Sequence, residues 1–353
     1  MGIVFSYSVY FCPQSWAFFL DMQTPGRADL LPMLANLQEA NFEATAQAVY
    51  AYQAAHNPLL AQYLKLLGYP TNTQFSRPEQ RRFLPISFFK SHAVQTGSWV
   101  PETTFSSSGT TGQKTSQHLV RELDFYLQNT RSGFTHFYGD PSEWAVLALL
   151  PSYLERSGSS LVAMAEHFIQ LSKHAESGFF LHDFEQLKQA LIHCKSKACK
   201  TILLGVSFAL LDFAEQYPMA LDGVTIMETG GMKGRRRELT RTELHESLQN
   251  AFGLENIHSE YGMTELFSQA YALGGTRFQP APTMRVSATE LNDPFCAVPI
   301  GRTGVLNITD LANLDTCSFI QTEDLGRVYP DGSFEVLGRA DTAEMRGCNL
   351  MAE

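Results

Sequence analysis

Apolar positions recur at spacings of three and four between Leu30 and Leu67, the period of a helix with one buried face. Phe42, Ala46, Val49, Tyr52 and Ala55 share such a face, and Leu30, Leu34 and Leu37 repeat the spacing upstream, with Pro32 marking a helix start. Asn57-Pro58 interrupts the pattern, which predicts a second short helix over Leu59 to Leu67 ending at Gly68-Tyr69-Pro70. Phe83 to Lys90 is an apolar run suited to a core. Further on the period changes. Trp144–Leu150 is an unbroken apolar run of strand length, Thr201–Val206 and Val224–Met227 read as further strands, and Ser160–Met164 reads as another, leading into a helix through Lys173. Helices are predicted over Phe208–Gln216 and Thr240–Phe252, the second opened by a capping box of Thr240 and Glu243. Strands alternating with helices imply a mostly parallel sheet covered on both faces. In the last third, Gly304–Ile308, Ser318–Thr322 and Phe334–Leu337 are short strands joined by turns, without helices between them. The expected class is α/β: mixed, mostly parallel sheets flanked by helices, with a small antiparallel β subdomain.

This reading divides the chain into an N-terminal extension (1–30), an α/β core (31–285), an antiparallel subdomain of that core (286–341) and a tail (342–353). Ile3 to Leu20 is aromatic and apolar, but Pro13, Gln14 and several serines interrupt it, and it lacks a basic start and a small-residue cleavage site. It fits neither a signal peptide nor a membrane span. It reads as an element of the main fold, or as sequence upstream of a true start at Met22 or Met33. The whole chain of 353 residues is 44% hydrophobic and 18% charged, ordinary for a folded enzyme. Its net charge of −10 argues against nucleic acid and anionic lipid as partners. The six cysteines are scattered without a zinc or disulfide framework, which suits a reducing cytoplasm.

The chemistry concentrates in polar loops. Ser106 to Thr115 holds six hydroxyls, two glycines and one lysine in ten residues. Such a stretch has little to bury and much to offer phosphate oxygens, although a flexible linker has similar composition. Its spacing is not that of the Walker loop. Glu228-Thr229-Gly230-Gly231-Met232-Lys233-Gly234 follows a predicted strand and either admits a flat ring against its glycines or forms a tight turn. Tyr261-Gly262-Met263-Thr264-Glu265 sets an aromatic ring, a hydroxyl and a carboxylate close together, the groups nucleotide and Mg²⁺ chemistry requires. In an open parallel sheet, ligands lie beyond the carboxyl ends of the strands, where these loops fall. Asp324 suits two vicinal ribose hydroxyls and Arg339 suits phosphate or ribose, while Pro330-Asp331-Gly332 between them is a hairpin turn. His118 and His167 have no partner spacing and read as structural or solvated. Arg235-Arg236-Arg237 reads as a solvated charge run.

In order, Ser107-Ser108-Gly109-Thr110-Thr111-Gly112-Gln113-Lys114, Tyr261-Gly262-Met263-Thr264-Glu265 and Asp324-Leu325-Gly326-Arg327 with Gly338-Arg339-Ala340-Asp341 resemble the three hallmark blocks of the adenylate-forming superfamily. Glu228 to Arg236 and Met345-Arg346-Gly347-Cys348-Asn349-Leu350 are similar to one branch of it, the LuxE-type acyl-protein synthetases. The resemblance covers Phe42 to the C-terminus. It implies the large N-terminal domain of that superfamily, with ATP and Mg²⁺ as cofactors. Ser107, Ser108, Gly109, Thr110, Thr111, Gly112 and Lys114 would hold the β- and γ-phosphates. Gly230 and Gly231 would flank adenine, Tyr261 would stack on it with Gly262 also among the ATP-binding residues, and Asp324 would bind the ribose hydroxyls with Arg339 nearby. Thr264 would touch the α-phosphate, Glu265 would hold Mg²⁺, and Tyr153 would line the substrate pocket. The lid domain with its second lysine, found in larger members, is expected to be absent from a chain that stops at Glu353.

The implied reaction activates a carboxylic acid, a long-chain fatty acid in this branch, as an acyl-adenylate and passes it to a protein cysteine. Cys348 is the candidate acceptor, with Arg346 near enough to favour its thiolate; it also reads as an incidental tail residue. Acyl-reductase or acyl-transferase subunits would be partners. The rival readings are a CoA ligase or a transferase to a small molecule, and a non-catalytic nucleotide-binding assembly subunit.

Overall fold

The computed structural model describes residues 24–69, 80–107, 114–151, 158–230 and 239–340. Three helices come first: α1 (Arg27–Ala35), α2 (Phe42–His56) and α3 (Pro58–Leu66). Asn57 ends one helix and caps the next, its side chain accepting from the Leu59 and Leu60 N–H groups with Pro58 at the first helical position. Helix α1 contains Pro32 rather than starting there, and it crosses the expected boundary at residue 30, with Leu30 fully buried. The chain continues through β1 (Leu84–Pro85), α4 (Phe88–Ser91) and a hairpin of β2 (Thr103–Ser106) and β3 (Gln117–Val120).

An alternating region follows. Its elements are α5 (Leu123–Tyr138), β4 (Ala145–Leu149), α6 (Ser160–Leu171), β5 (Gly178–Phe179), α7 (Phe184–Ser196), β6 (Thr201–Val206), α8 (Ser207–Gln216), β7 (Val224–Thr229), α9 (Arg241–Phe252) and β8 (His258–Tyr261). Strands β9 (Ala270–Ala272) and β10 (Gln279–Pro280) close this part. The last four strands are β11 (Met284–Thr289), β12 (Thr303–Asp310), β13 (Phe319–Val328) and β14 (Phe334–Arg339).

Seven strands form one sheet in the order β10-β9-β8-β7-β6-β4-β5. Strands β4 to β8 are parallel within it, and β9 and β10 are antiparallel additions. Every residue of β4 and of β6 is buried, as a strand covered on both faces requires. Helices α5 and α6 cover one face, where Phe134, Met164 and Phe168 meet Val146, Leu204 and Met227. Across the other face lie α7, α8 and α9, joined through Phe184, Phe213 and Phe252. The Ser160–Met164 segment is a helix, not the strand its apolar run suggests. Ser159 caps it by accepting from the Val162 N–H, and Met164, Ala165 and Phe168 fall on one helical face.

The second sheet runs β1-β13-β12-β11, with β14 also paired to β13. Its strands are antiparallel except for the parallel pair β1–β13. Helix α2 packs on it, Tyr50 meeting Phe319 edge-on at 4.7 Å. The buried Gln53 amide donates to the Asn313 carbonyl and accepts from the Ser318 N–H, both at 2.9 Å, and Asn57 donates to the Thr316 carbonyl. The N-terminal helices thereby fix the connection between β12 and β13, which faces the carboxyl ends of the parallel strands. No helix among the described residues is long and apolar enough to cross a membrane.

Candidate active site

Strand β8 delivers Tyr261 and the loop behind it to the junction of the two sheets. The Tyr261 hydroxyl donates to Asp324 Oδ2 at 2.8 Å, and Asp324 Oδ1 lies 3.4 Å from Arg339 Nε. Asp324 and Arg339 face each other across β13 and β14, so strand register sets this pair. Asp324 is 6% exposed whereas the Arg339 side chain is 73% exposed. Burial pushes the Asp324 carboxyl above the usual range, with Tyr261 and Arg339 pulling it back. Tyr261 itself sits against Phe278 and Phe334, ring centroids 5.7 and 5.3 Å away, and is 8% exposed. In this arrangement the Tyr261 hydroxyl orients Asp324.

The loop from Thr264 to Ser268 is held by buried groups outside the recognised motifs. His118 on β3 bonds the Thr264 carbonyl through Nδ1 at 2.8 Å and the Thr316 hydroxyl through Nε2 at 2.9 Å. Because a carbonyl only accepts, Nδ1 carries the proton and Nε2 accepts from Thr316. Burial pushes the His118 imidazole down to about 4, which keeps it neutral. Asn313 donates to the Glu265 carbonyl at 2.8 Å. The fully buried Asp310 accepts from the N–H groups of Phe267, Ser268 and Ala312 and from the Ser268 hydroxyl. Sequence reasoning missed Asp310 and Asn313 and gave His118 no task. Their contacts are long-range in the chain, and only the polar residues ending the apolar run of β12 hinted at them.

Glu265 is 6% exposed and burial pushes its carboxyl up, while the charges of Arg339 and Lys90 draw it down. Among the described residues no three metal-binding side chains cluster. A single buried carboxylate suits Mg²⁺ that arrives on nucleotide phosphates and keeps most of its own shell, because Mg²⁺ sites use few protein ligands.

On the hairpin, Ser107 and Ser116 clasp the two arms: the Ser116 N–H donates to Ser107 Oγ at 2.8 Å and the Ser107 N–H to the Ser116 carbonyl. Lys114 and Thr115 line a groove of about 430 Å³ together with Lys90 and His92. Gly230, with φ of 72°, and Gly262 are exposed at the carboxyl ends of β7 and β8. Ser108, Gly109, Thr110, Thr111, Gly112, Tyr153, Gly231 and Cys348 lie outside the described residues. The structure thus brings Tyr261, Asp324, Arg339 and Glu265 to one place and sets Lys114 in a groove shared with Lys90.

Crystal structures of a 2-hydroxyisobutyryl-CoA ligase in the postadenylation state, holding acyl-AMP compounds, superpose on 86% of this chain and 68% of theirs. TM-scores are 0.62 and 0.63 at 13% and 14% identity. The chain has the adenylate-forming fold. ATP-bound MatB from Rhodopseudomonas palustris shares this fold at a TM-score of 0.51 and 16% identity, over 67% of the chain. The chain spans 47% of the MatB length. No family model matches the sequence, and no curated protein matches it. At these identities the adenylate-forming fold is what is shared.

Proposed function

We propose that this protein activates a carboxylic acid with ATP. A substrate carboxylate oxygen attacks the α-phosphorus, the bond to the β-phosphate bridge breaks, and pyrophosphate leaves an acyl-adenylate behind. The observation that carries this reading is the meeting of Asp324, Arg339 and Glu265 at the carboxyl ends of the parallel strands, beside Lys90 of the Lys114 groove. Asp324, held by Tyr261, would take the ribose hydroxyls with Arg339. Glu265 would hold Mg²⁺, whose charge would polarise the phosphates. Lys114, with Thr110, Thr111 and the rest of its loop, would neutralise the pyrophosphate as it departs. Thr264, its carbonyl fixed by His118, would turn its hydroxyl to the α-phosphate. Positioning and charge neutralisation are the main needs of such a step.

The acyl group then goes to a thiol. In our reading this is Cys348, whose thiolate attacks the acyl carbonyl and expels AMP to leave a thioester, and the acid is a long-chain fatty acid. Both choices rest on the sequence similarity at 228–236 and 345–350. A second reading, transfer to a small thiol such as CoA, is favoured by the fold shared with a CoA ligase.

The test is incubation with ATP, Mg²⁺ and labelled acids, read by exchange of pyrophosphate into ATP and by intact mass. Acid-dependent exchange with hydroxylamine-sensitive label that disappears in Cys348→Ser is expected. Exchange without label rejects the cysteine acceptor, and absence of exchange with any acid rejects activation.

A further inference from the structure

Helix α7 ends in a turn that sets two cysteines side by side. The Cys199 N–H donates to the Cys194 carbonyl at 2.9 Å, and the Ala198 N–H donates to the Lys195 carbonyl at 3.1 Å. These nested bonds are the Schellman arrangement, in which the residue after the left-handed position packs its side chain on the one five places before it. Both of those residues are cysteines here. Ala198, with φ of 51°, holds the left-handed position that glycine usually fills. It is the one non-glycine residue with positive φ among the described residues, so the surroundings must hold this turn in shape.

Those surroundings tie the turn to three neighbours. Thr201, which opens β6 and is fully buried, donates its hydroxyl to the Cys199 carbonyl at 2.9 Å. Lys195 donates to the Ala220 carbonyl and pairs with Asp222, both on the α8–β7 connection. His193 and Lys197 reach Glu176 ahead of β5. Cys194 is fully buried and Cys199 half-buried, and both are free thiols. Burial pushes the Cys194 thiol up, the Thr201 hydroxyl draws it back, and the Cys199 side chain adds to the rise, so the two sulfurs lie within interaction range. A disulfide needs Cα atoms about 4.4–6.8 Å apart, a span compatible with a hydrogen bond between the same two backbones.

We propose that Cys194 and Cys199 are a thiol–disulfide modification site, oxidised reversibly by a small-molecule disulfide such as oxidised glutathione. The Cys199 thiolate, the accessible one, attacks a sulfur of that disulfide and expels a thiolate, leaving a mixed disulfide on Cys199. Cys194 then attacks Sγ of Cys199 and expels the second thiolate. Each departing thiolate takes up the proton that one cysteine loses, and two electrons pass from the cysteine pair to the small disulfide, which leaves as two thiols. The new bond closes the cap of α7 covalently, at the amino ends of the parallel strands and away from the candidate active site. In a reducing medium the pair stays open, and in an oxidising one it closes.

The experiment equilibrates the full chain with reduced and oxidised glutathione at several ratios, blocks free thiols by alkylation and measures the masses of tryptic peptides. Trypsin cuts after Lys188, Lys195, Lys197 and Lys200, so the disulfide leaves peptides 189–195 and 198–200 joined. Joined peptides that dithiothreitol separates are expected, with an effective concentration about 10-fold or more above that of the same pair in urea. Cys194→Ala should stop at a glutathione adduct on Cys199, and Cys199→Ser should leave Cys194 unmodified, with helical circular dichroism confirming that both variants fold. An unlinked pair at every ratio, a wild-type Cys199 adduct that never resolves, or a link no more favoured than in urea overturns the inference.

Discussion

The hydrogen bond from Tyr261 to Asp324 joins the two large sheets, since Tyr261 ends β8 of the first and Asp324 lies in β13 of the second. It aims a buried carboxylate by a phenol that has no other hydrogen bond among the described residues. Tyr261→Phe removes the donor while keeping the ring among Phe278 and Phe334. A loss of about 1–3 kcal/mol in stability is expected because Asp324 Oδ2 loses its donor, measurable by urea denaturation. Under the proposed function the same variant raises KM for ATP more than it lowers kcat.

Asp310 gives a larger effect. Asp310→Ala leaves three backbone N–H groups and the Ser268 hydroxyl without their acceptor. Destabilisation of roughly 3 kcal/mol or more is expected, with Asp310→Asn losing less because one oxygen remains. Denaturation midpoints of the two variants at constant m-value check the order.

Two buried groups make stability respond to pH in opposite senses. His118 takes its proton at 6.5 when unfolded and at about 4 when folded, so its contribution is present above 6.5 and is lost as pH falls toward 4. Burial pushes Glu260 up to about 7 from 4.5, so its contribution is present below 4.5 and is lost as pH rises to 7. Between 4.5 and 6.5 the slopes offset. Glu260→Gln removes one of them, and stability should then fall by about 3 kcal/mol on acidification across that window. Chemical denaturation at several pH values reads this; an unchanged slope in the variant would contradict it.

Lys114→Ala tests the phosphate loop. Lys114 and Lys90 line one groove; under the proposed function Lys114 meets the developing charge, and its removal should lower pyrophosphate exchange on the order of 10²-fold. Lys65→Ala, in the last turn of α3 and outside the lining of that groove, is the control and should leave exchange near the wild-type rate.

The parts legible in the sequence are those whose cause is local. The Thr240–Glu243 capping box, the Asn57-Pro58 helix break and the apolar runs of β4 and β6 each carry their signal within a few residues. The segment at Ser160 misled because a short apolar run suits either a strand or a buried helix, and its decisive residue is the capping Ser159 outside the run. The packing of Tyr261 against Phe278 and Phe334 was not legible, since those rings reach it only through the fold. His118 is 146 positions from Thr264 and 198 from Thr316, so no local pattern could link them.

That separation bears on how the protein acquires its site. The contacts that complete it, Tyr261 to Asp324, His118 to Thr264 and Gln53 to the β12–β13 connection, all close long loops of chain. Loop closure of this kind is slow and comes after local helices have formed. Under the proposed function, nucleotide affinity should therefore emerge in the final phase of refolding, later than helical circular dichroism, and serve as a reporter of the finished native state.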